Sequence, residues 1–318
     1  MPVPNFFLVG GPRCGSTFLY HYLEQHPDIF FSARKETHFF SKDFHAECDE
    51  LQGERGKEMT IFSIRDEQEY LDQYADCGAA TTIGDASTSH LYSRVAAQGI
   101  AEFNPEAKIL ISIRNPVDQM RSWHSYLVRH REEPVTNFAE AVRRNAMGLA
   151  AGDYSNALRH ATRINYRYIT DYGMHLERFR QYFSDDQILV VVFDDFMVNP
   201  AREFRQIMEF LGVDPNIADE LNYEKRNTNK QLMFASLFGR LVNRDSFLRK
   251  IGDAILPRSF AKTIHSRLIT AFTTSHERPD DNREAVSELR EELRPRIARL
   301  GSLIDRDLVS LWGFDGDH

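Results

Sequence analysis

The chain has 318 residues, enough for one large α/β domain or two smaller ones with a substantial buried core. Its 39 Lys and Arg stand against 47 Asp and Glu, and a net charge of −8 gives no reason to propose nucleic acid as the main partner. Cys14, Cys48 and Cys77 are too few and too scattered for a disulfide framework or a zinc site, which fits a reducing compartment.

The first apolar run, Asn5-Phe6-Phe7-Leu8-Val9, is bounded by Gly10 and Gly11 and reads as a strand. No run approaches the ~20 residues that cross a bilayer, so the expectation is a cytoplasmic chain without signal peptide or transmembrane segment. Residues 10 to 17 then read Gly-Gly-Pro-Arg-Cys-Gly-Ser-Thr, the phosphate-binding pattern G-x-x-x-x-G-K-[ST] with Ser16 in place of its lysine. Phe18, Leu19, Tyr22 and Leu23 recur at helical spacing until His26-Pro27. Strand, glycine turn and helix start arrive in the order a phosphate cradle needs, so Gly11, Pro12, Arg13, Cys14, Gly15, Ser16 and Thr17 are candidate ligands of a nucleotide phosphate. Without the lysine that reaches a β/γ-phosphate, the chain is expected to bind a nucleotide without splitting a triphosphate. A tight strand-to-helix turn with no ligand is the alternative.

Further strands are expected at Thr82-Ile83-Gly84, at Lys108 to Ile113 and at Gln187 to Phe193, the last two as nearly continuous apolar runs. Residues 164 to 183 read as a crossover helix, and Asn199-Pro200 starts another that runs toward Leu211-Gly212. This alternation predicts an α/β fold, a central parallel sheet flanked by helices, with ligands beyond the carboxyl ends of the strands. There, Arg114-Asn115-Pro116 follows the strand ending at Ile113 and opens a helix holding Ser122, Tyr126 and Arg129. Arg114 and Ser122, eight residues apart, can form a second anion site, or the segment is a salt-bridged helix start.

Residues 231–278 carry eight Lys or Arg against Asp245, Asp253 and Glu277, in an otherwise acidic chain. Interleaved apolar residues give the region amphipathic helical character. It reads as a basic lid over an anionic glycan, lipid headgroup or carrier-bound substrate, with peripheral membrane contact open to it, or as a solvated helical face.

In these features the sequence resembles the sulfotransferases that use 3′-phosphoadenosine 5′-phosphosulfate (PAPS). The loop Gly10 to Thr17 is similar to their 5′-phosphosulfate loop, and Arg114 through Ser122 to their 3′-phosphate motif. Between them, Arg34-Lys35-Glu36-Thr37-His38-Phe39-Phe40 resembles the Lys-Glu-x-His-Phe-Phe segment of the heparan-type branch, whose glutamate is the proposed general base. The stretch Ile188 through Asp214 is similar to the later body of that family, and Leu300 to Trp312 matches more weakly.

The resemblance implies a P-loop-like three-layer fold over a single domain, residues 1–318. It comprises a nucleotide-binding core at 5–214, the basic region at 231–278, and C-terminal helices at 279–318 packed on the core. PAPS is the implied co-substrate, with no metal, and the acceptor is a hydroxyl of a small molecule, lipid or glycan. Glu36 is the candidate base, against a solvated glutamate in a charged loop. Arg13 and Lys35 are candidates to stabilise the leaving group, and His38 to orient the acceptor or share its proton, against a structural histidine. Arg114 and Ser122 would clamp the 3′-phosphate, and Arg226 lies where the family has a loop closing over the nucleotide.

Cys14 and the Asp85-Ala86-Ser87 segment stand where the heparan-type branch carries lysines, which weakens a heparan substrate more than PAPS use. Cys14 is then a reactive thiol at a helix start or a small buried filler. Two alternatives stay open: a P-loop kinase or NTPase with magnesium at Val191-Val192-Phe193-Asp194, and a catalytically inactive nucleotide-binding protein.

Overall fold

The computed structural model describes residues 2–32, 34–50, 63–130, 132–151, 161–221, 223 and 283–315. Residues 1–221 and 281–318 belong to one compact unit. The basic region 231–278 and Arg226 lie outside the described residues.

Five strands, β1 (Phe6–Gly10), β2 (Ile29–Phe31), β3 (Thr82–Asp85), β4 (Lys108–Ile113) and β5 (Ile188–Val192), form a parallel sheet in the order β2-β3-β1-β4-β5. β1 is central, with Phe6 opposite Gly84 of β3 on one side and opposite Lys108 of β4 on the other. The chain steps outward to β2 and β3, then crosses to β4 and β5, so the loop after β1 lies where the connections diverge.

The helices are α1 (Ser16–Leu23), α2 (Lys42–Glu50), α3 (Glu67–Asp72), α4 (Ser89–Tyr92), α5 (Ala96–Phe103), α6 (Pro116–Arg129) and α7 (Phe138–Ala151) in the first half. They continue as α8 (Tyr166–Ile169), α9 (Tyr172–Phe179), α10 (Phe193–Val198), α11 (Pro200–Leu211), α12 (Ile217–Glu220), α13 (Arg283–Leu303) and α14 (Leu308–Leu311). No helix among the described residues is long and apolar enough to cross a membrane.

Successive strand side chains point to opposite faces, and here both faces are dry. Phe7, Val9, Ile109, Ile111 and Ile113 join the main core cluster with Phe40, Tyr70, Met120 and Leu176. Phe6, Leu8 and Leu110 face the other way and are equally buried. Aromatic packing fastens α1 to α10 and α11, with Phe18 meeting Phe193, Phe196 and Phe204 at ring-centroid distances of 6.4, 6.2 and 5.9 Å. Leu289, Leu293, Ile297 and Leu300 of α13, spaced at helical intervals, complete the first cluster.

Two local expectations are corrected, and one strand, β2, was not expected. The helix expected over 164–183 is broken into α8 and α9. Thr170 Oγ1 donates back to Tyr166 O (2.9 Å), and Asp171 accepts the Met174 amide (3.3 Å), so one helix ends and the next is capped at the same place. β5 ends at Val192, and Phe193 turns into α10. β2 has only three residues and exists because Ile29 to Phe31 pair with Thr82 to Gly84.

Phe193 explains Gly15. The glycine has φ +87°, and a Cβ there would sit 2.1 Å from a Phe193 ring carbon. Gly15→Ala is therefore expected to cost about 2–4 kcal/mol in chemical denaturation, combining left-handed backbone strain with overpacking. A loss under ~1 kcal/mol would show that Phe193 moves aside freely.

Candidate active site

Among the described residues the candidate groups lie in the segments that follow β1, β2 and β4, with Ser122 on α6. In the loop after β1, the Pro12 carbonyl accepts from Gln119 Nε2 (2.7 Å), the Cys14 carbonyl from Ser112 Oγ (2.5 Å), and the Gly11 carbonyl from the Cys14 amide (3.1 Å). The Gly11 and Cys14 amides are themselves spent on Ser112 O (3.3 Å) and Gly11 O, so the amides that can meet an anion are those at the start of α1. α1 opens at Gly15 with no side-chain cap, so its first-turn N–H groups have no acceptor within the helix.

The ammonium that the loop lacks at Ser16 comes from the segment after β2. Lys35 Nζ lies 3.5 Å from Ser16 Oγ and donates to Glu36 Oε1 at 3.0 Å. Lys35 thus links the phosphate loop to the carboxylate. Arg34, its neighbour, is 3.7 Å from Glu69.

Glu36 is held on its other oxygen by Thr88, whose Oγ1 and amide donate to Oε2 at 2.9 and 3.3 Å, and His38 Nε2 lies 3.9 Å away. Burial pushes the Glu36 pKa up, but Lys35, His38 and Thr88 together outweigh it and hold the carboxyl down at about 2. The side chain keeps 32 % exposure, enough for another molecule to reach it. The solvated-glutamate alternative does not describe this setting.

His38 is itself constrained. Its φ of +55° is unusual for a residue with a side chain, and its Nδ1 is 2.7 Å from Ser89 Oγ, which in turn meets Ser41 Oγ at 2.8 Å.

Residues 85–89 form the clamp for this segment. Thr37 Oγ1 donates to the buried Asp85 carboxylate (2.6 Å), as do the Tyr70 and Tyr74 hydroxyls (3.1 and 3.4 Å). Ser87 Oγ accepts the amides of Thr37 (2.9 Å) and His38 (3.2 Å). At the position read against a lysine of the heparan-type branch, this chain has a run of hydroxyls that holds the Glu36 segment. Sequence reasoning missed Thr88, Ser87 and Tyr70, although the Ser-Thr-Ser run directly after a strand end was a readable signal.

Arg13, Arg114 and Ser122, the second candidate anion site, come together in the structure. Arg13 Nε donates to Ser122 Oγ (3.1 Å), and Arg114 Nη1 is 3.5 Å from the Arg13 carbonyl. The Arg114 guanidinium lies 5.5 Å from the Phe193 ring centroid, and its buried Nε has no hydrogen-bond partner. A buried guanidinium nitrogen without an acceptor fits a site built for an anion, not a salt-bridged helix start.

Cys14 resolves toward the filler. Its side chain is fully buried, its Sγ is 3.4 Å from the Tyr172 hydroxyl, and burial pushes the thiol up to about 12. Only its backbone faces the loop. The carboxylate that a magnesium-using alternative would need, Asp194, accepts from the Trp312 indole N–H (2.9 Å), and Asp195 pairs with Arg306 (2.8 Å). Among the described residues no group of three or more His, Cys, Asp or Glu is placed to hold a metal ion.

Residues 4–217 match the model of the Sulfotransferase family. Carbohydrate sulfotransferase 15 of Rattus norvegicus is 26 % identical over 250 residues, spanning 67 % of this chain and 44 % of that protein. Bifunctional heparan sulfate N-deacetylase/N-sulfotransferase 4 of Mus musculus is 25 % identical over 235 residues, 70 % of this chain and 24 % of that protein. The chain thus spans less than half the length of these curated relatives. A crystal structure of a sulfotransferase from Alicyclobacillus acidocaldarius aligns at 27 % identity with TM-score 0.69, covering 98 % of this chain and 100 % of that one. With the matched region holding the Gly10–Thr17 loop, Glu36, Arg114 and Ser122, the chain belongs to the Sulfotransferase family.

Proposed function

We propose that this protein transfers a sulfuryl group from PAPS to a hydroxyl of a saccharide acceptor, with Glu36 as general base. The observation that carries the reading is Lys35 Nζ standing between the Glu36 carboxylate (3.0 Å) and the phosphate loop (3.5 Å to Ser16 Oγ). One ammonium there can serve both the base and the charge that builds on a departing phosphate.

PAPS supplies the sulfuryl group. The amides at the start of α1, with Ser16 and Thr17, would hold its 5′ end, and Arg114 with Ser122 its 3′-phosphate. Glu36 takes the acceptor's hydroxyl proton as the acceptor oxygen bonds to sulfur and the sulfur–phosphate oxygen bond breaks, releasing 3′-phosphoadenosine 5′-phosphate. A carboxylate held at about 2 is a weak base, so Lys35 must give up part of its hold on Glu36 during the reaction. Negative charge developing on the leaving oxygen draws the ammonium that way and strengthens the base as the proton is lost. His38, 3.9 Å from Glu36, is placed to orient the acceptor or share its proton.

Saccharide is preferred among acceptors because the matched relatives are named carbohydrate and heparan sulfate sulfotransferases. The test is incubation with sulfur-labelled PAPS and a panel of glycosaminoglycans, oligosaccharides, lipids and small alcohols. Label on saccharides supports the reading. Label only on lipids or small alcohols moves the acceptor class, and PAPS binding without transfer to any member supports the catalytically inactive alternative.

A further inference from the structure

We infer that Thr37 and His90, joined through the buried carboxylate of Asp85, are positioning residues that set where Glu36 and His38 point. The inference rests on the reading of Glu36 as base only for its catalytic consequence. It goes beyond that reading by giving a task to the x position of Lys-Glu-x-His-Phe-Phe and to a histidine of α4.

Four successive amides of the segment after β2 end on side chains of one network. The Thr37 and His38 amides donate to Ser87 Oγ at 2.9 and 3.2 Å, the Phe39 amide to Thr37 Oγ1 at 3.3 Å, and the Phe40 amide to His90 Nε2 at 3.3 Å. Ser87 Oγ and Thr37 Oγ1 are themselves 3.2 Å apart. This template encloses His38, whose φ of +55° lies in the left-handed region. Such a conformation persists in a residue with a side chain only when its surroundings over-determine it.

Asp85 ties the two ends of the template together. It is fully buried at the end of β3, as are Thr37 and His90. Its Oδ2 takes the Thr37 hydroxyl at 2.6 Å, with the Tyr70 and Tyr74 hydroxyls at 3.1 and 3.4 Å. Its Oδ1 makes no hydrogen bond and lies 3.9 Å from His90 Nδ1, which makes none either. The tautomer follows from the other ring nitrogen: Nε2 accepts the Phe40 amide, so in the neutral ring the proton sits on Nδ1, beside Asp85. Burial pushes the His90 pKa down against the pull of Asp85, Glu36 and Asp43, which keeps the ring neutral. A buried carboxylate is costly unless its neighbours satisfy it, so movement of Thr37 or His90 away from Asp85 is opposed. Through Thr37 that restraint reaches Glu36 on one side and His38 on the other, and through His90 it reaches Phe40.

The experiment follows the Glu36 carboxyl by carbon-13 NMR in the full chain and in Thr37→Val, Thr37→Ser, His90→Phe and His90→Gln, with Glu36→Gln to assign the signal. From about pH 6 down to about pH 3 the parent signal should stay that of a carboxylate, because Lys35, His38 and Thr88 hold Glu36 at about 2. Thr37→Val loses the hydroxyl and keeps the shape, and His90→Phe loses both nitrogens and keeps the ring. Each should move the titration up by about one pH unit or more, as Glu36 slips from its partners. Thr37→Ser restores the hydroxyl, and His90→Gln offers an oxygen to the Phe40 amide, so both should stay near the parent. With sulfur-labelled PAPS and a glycosaminoglycan mixture, Thr37→Val and His90→Phe should lose about 10- to 100-fold in transfer per nucleotide site. Their binding of 3′-phosphoadenosine 5′-phosphate should stay within about 3-fold of the parent. A Glu36 carboxyl that titrates as in the parent in both Thr37→Val and His90→Phe overturns the inference. So does an equal effect of Thr37→Ser and Thr37→Val, or a loss of nucleotide binding in step with transfer, which would mark the network as general support for the fold. Parental transfer by Glu36→Gln removes the base reading alone, because the NMR titration needs no acceptor.

Discussion

Glu36→Gln should bind 3′-phosphoadenosine 5′-phosphate as the parent does, within about 3-fold, while turnover with PAPS and acceptor falls about 10²- to 10⁴-fold, the span of general-base contributions. The amide keeps the shape of the carboxylate and can still accept from Thr88, which donates at 2.9 Å, so the segment 36–38 should stay in place. What it loses is the capacity to take a proton. Near-parental turnover would remove Glu36 from the base role and leave His38 as the group to examine.

The same variant carries a second readout in pH-dependent stability. The folded Glu36 carboxyl is held at about 2, below its ordinary value of 4.5, so its ionised contacts stabilise the fold fully above pH ~4.5. That contribution is lost as pH falls toward 2. Denaturation between those limits should therefore show a steeper decline for the parent than for Glu36→Gln. Parallel declines would mean that Lys35, His38 and Thr88 do not hold the carboxylate as their geometry implies.

Arg114→Ala should weaken 3′-phosphoadenosine 5′-phosphate by about 100-fold, near 3 kcal/mol, and adenosine 5′-phosphate by only a few-fold. The Arg114 side chain makes one long contact to the Arg13 carbonyl (3.5 Å) and lies over Phe193, so little of the fold depends on it. Its buried Nε without a partner is the sort of group that costs stability unless a ligand uses it. Thermal unfolding without ligand should consequently change little or rise slightly. A comparable loss for both nucleotides would place the 3′-phosphate elsewhere.

Local chemistry made much of the framework legible in the chain itself. Phe6 to Gly10 and Ile109 to Ile113 are apolar but for Ser112 because both faces of a parallel strand are buried, and Asn115-Pro116 opens α6 with Asn115 accepting the Val117 amide at 3.0 Å. The strand, glycine turn and helix start around Gly10 to Thr17 were legible by spacing alone. The proposed base, Glu36, is suggested by family resemblance alone, since a glutamate between two cations has no distinctive pattern of its own.

What the sequence alone determined is therefore what neighbouring residues decide among themselves: the four longer strands, the Asn115 and Asn199 helix starts, the glycine turn after β1 and the strand-end position of Arg114. Tertiary structure decided the rest, because the deciding contacts join residues far apart in the chain. Thr88 reaches Glu36 across 52 residues, Arg13 reaches Ser122 across 109, Trp312 occupies Asp194 across 118, and Tyr172 draws Cys14 into the core across 158. A side chain's role depends on which partner satisfies its charge or hydrogen bonds, and only folding brings those partners together.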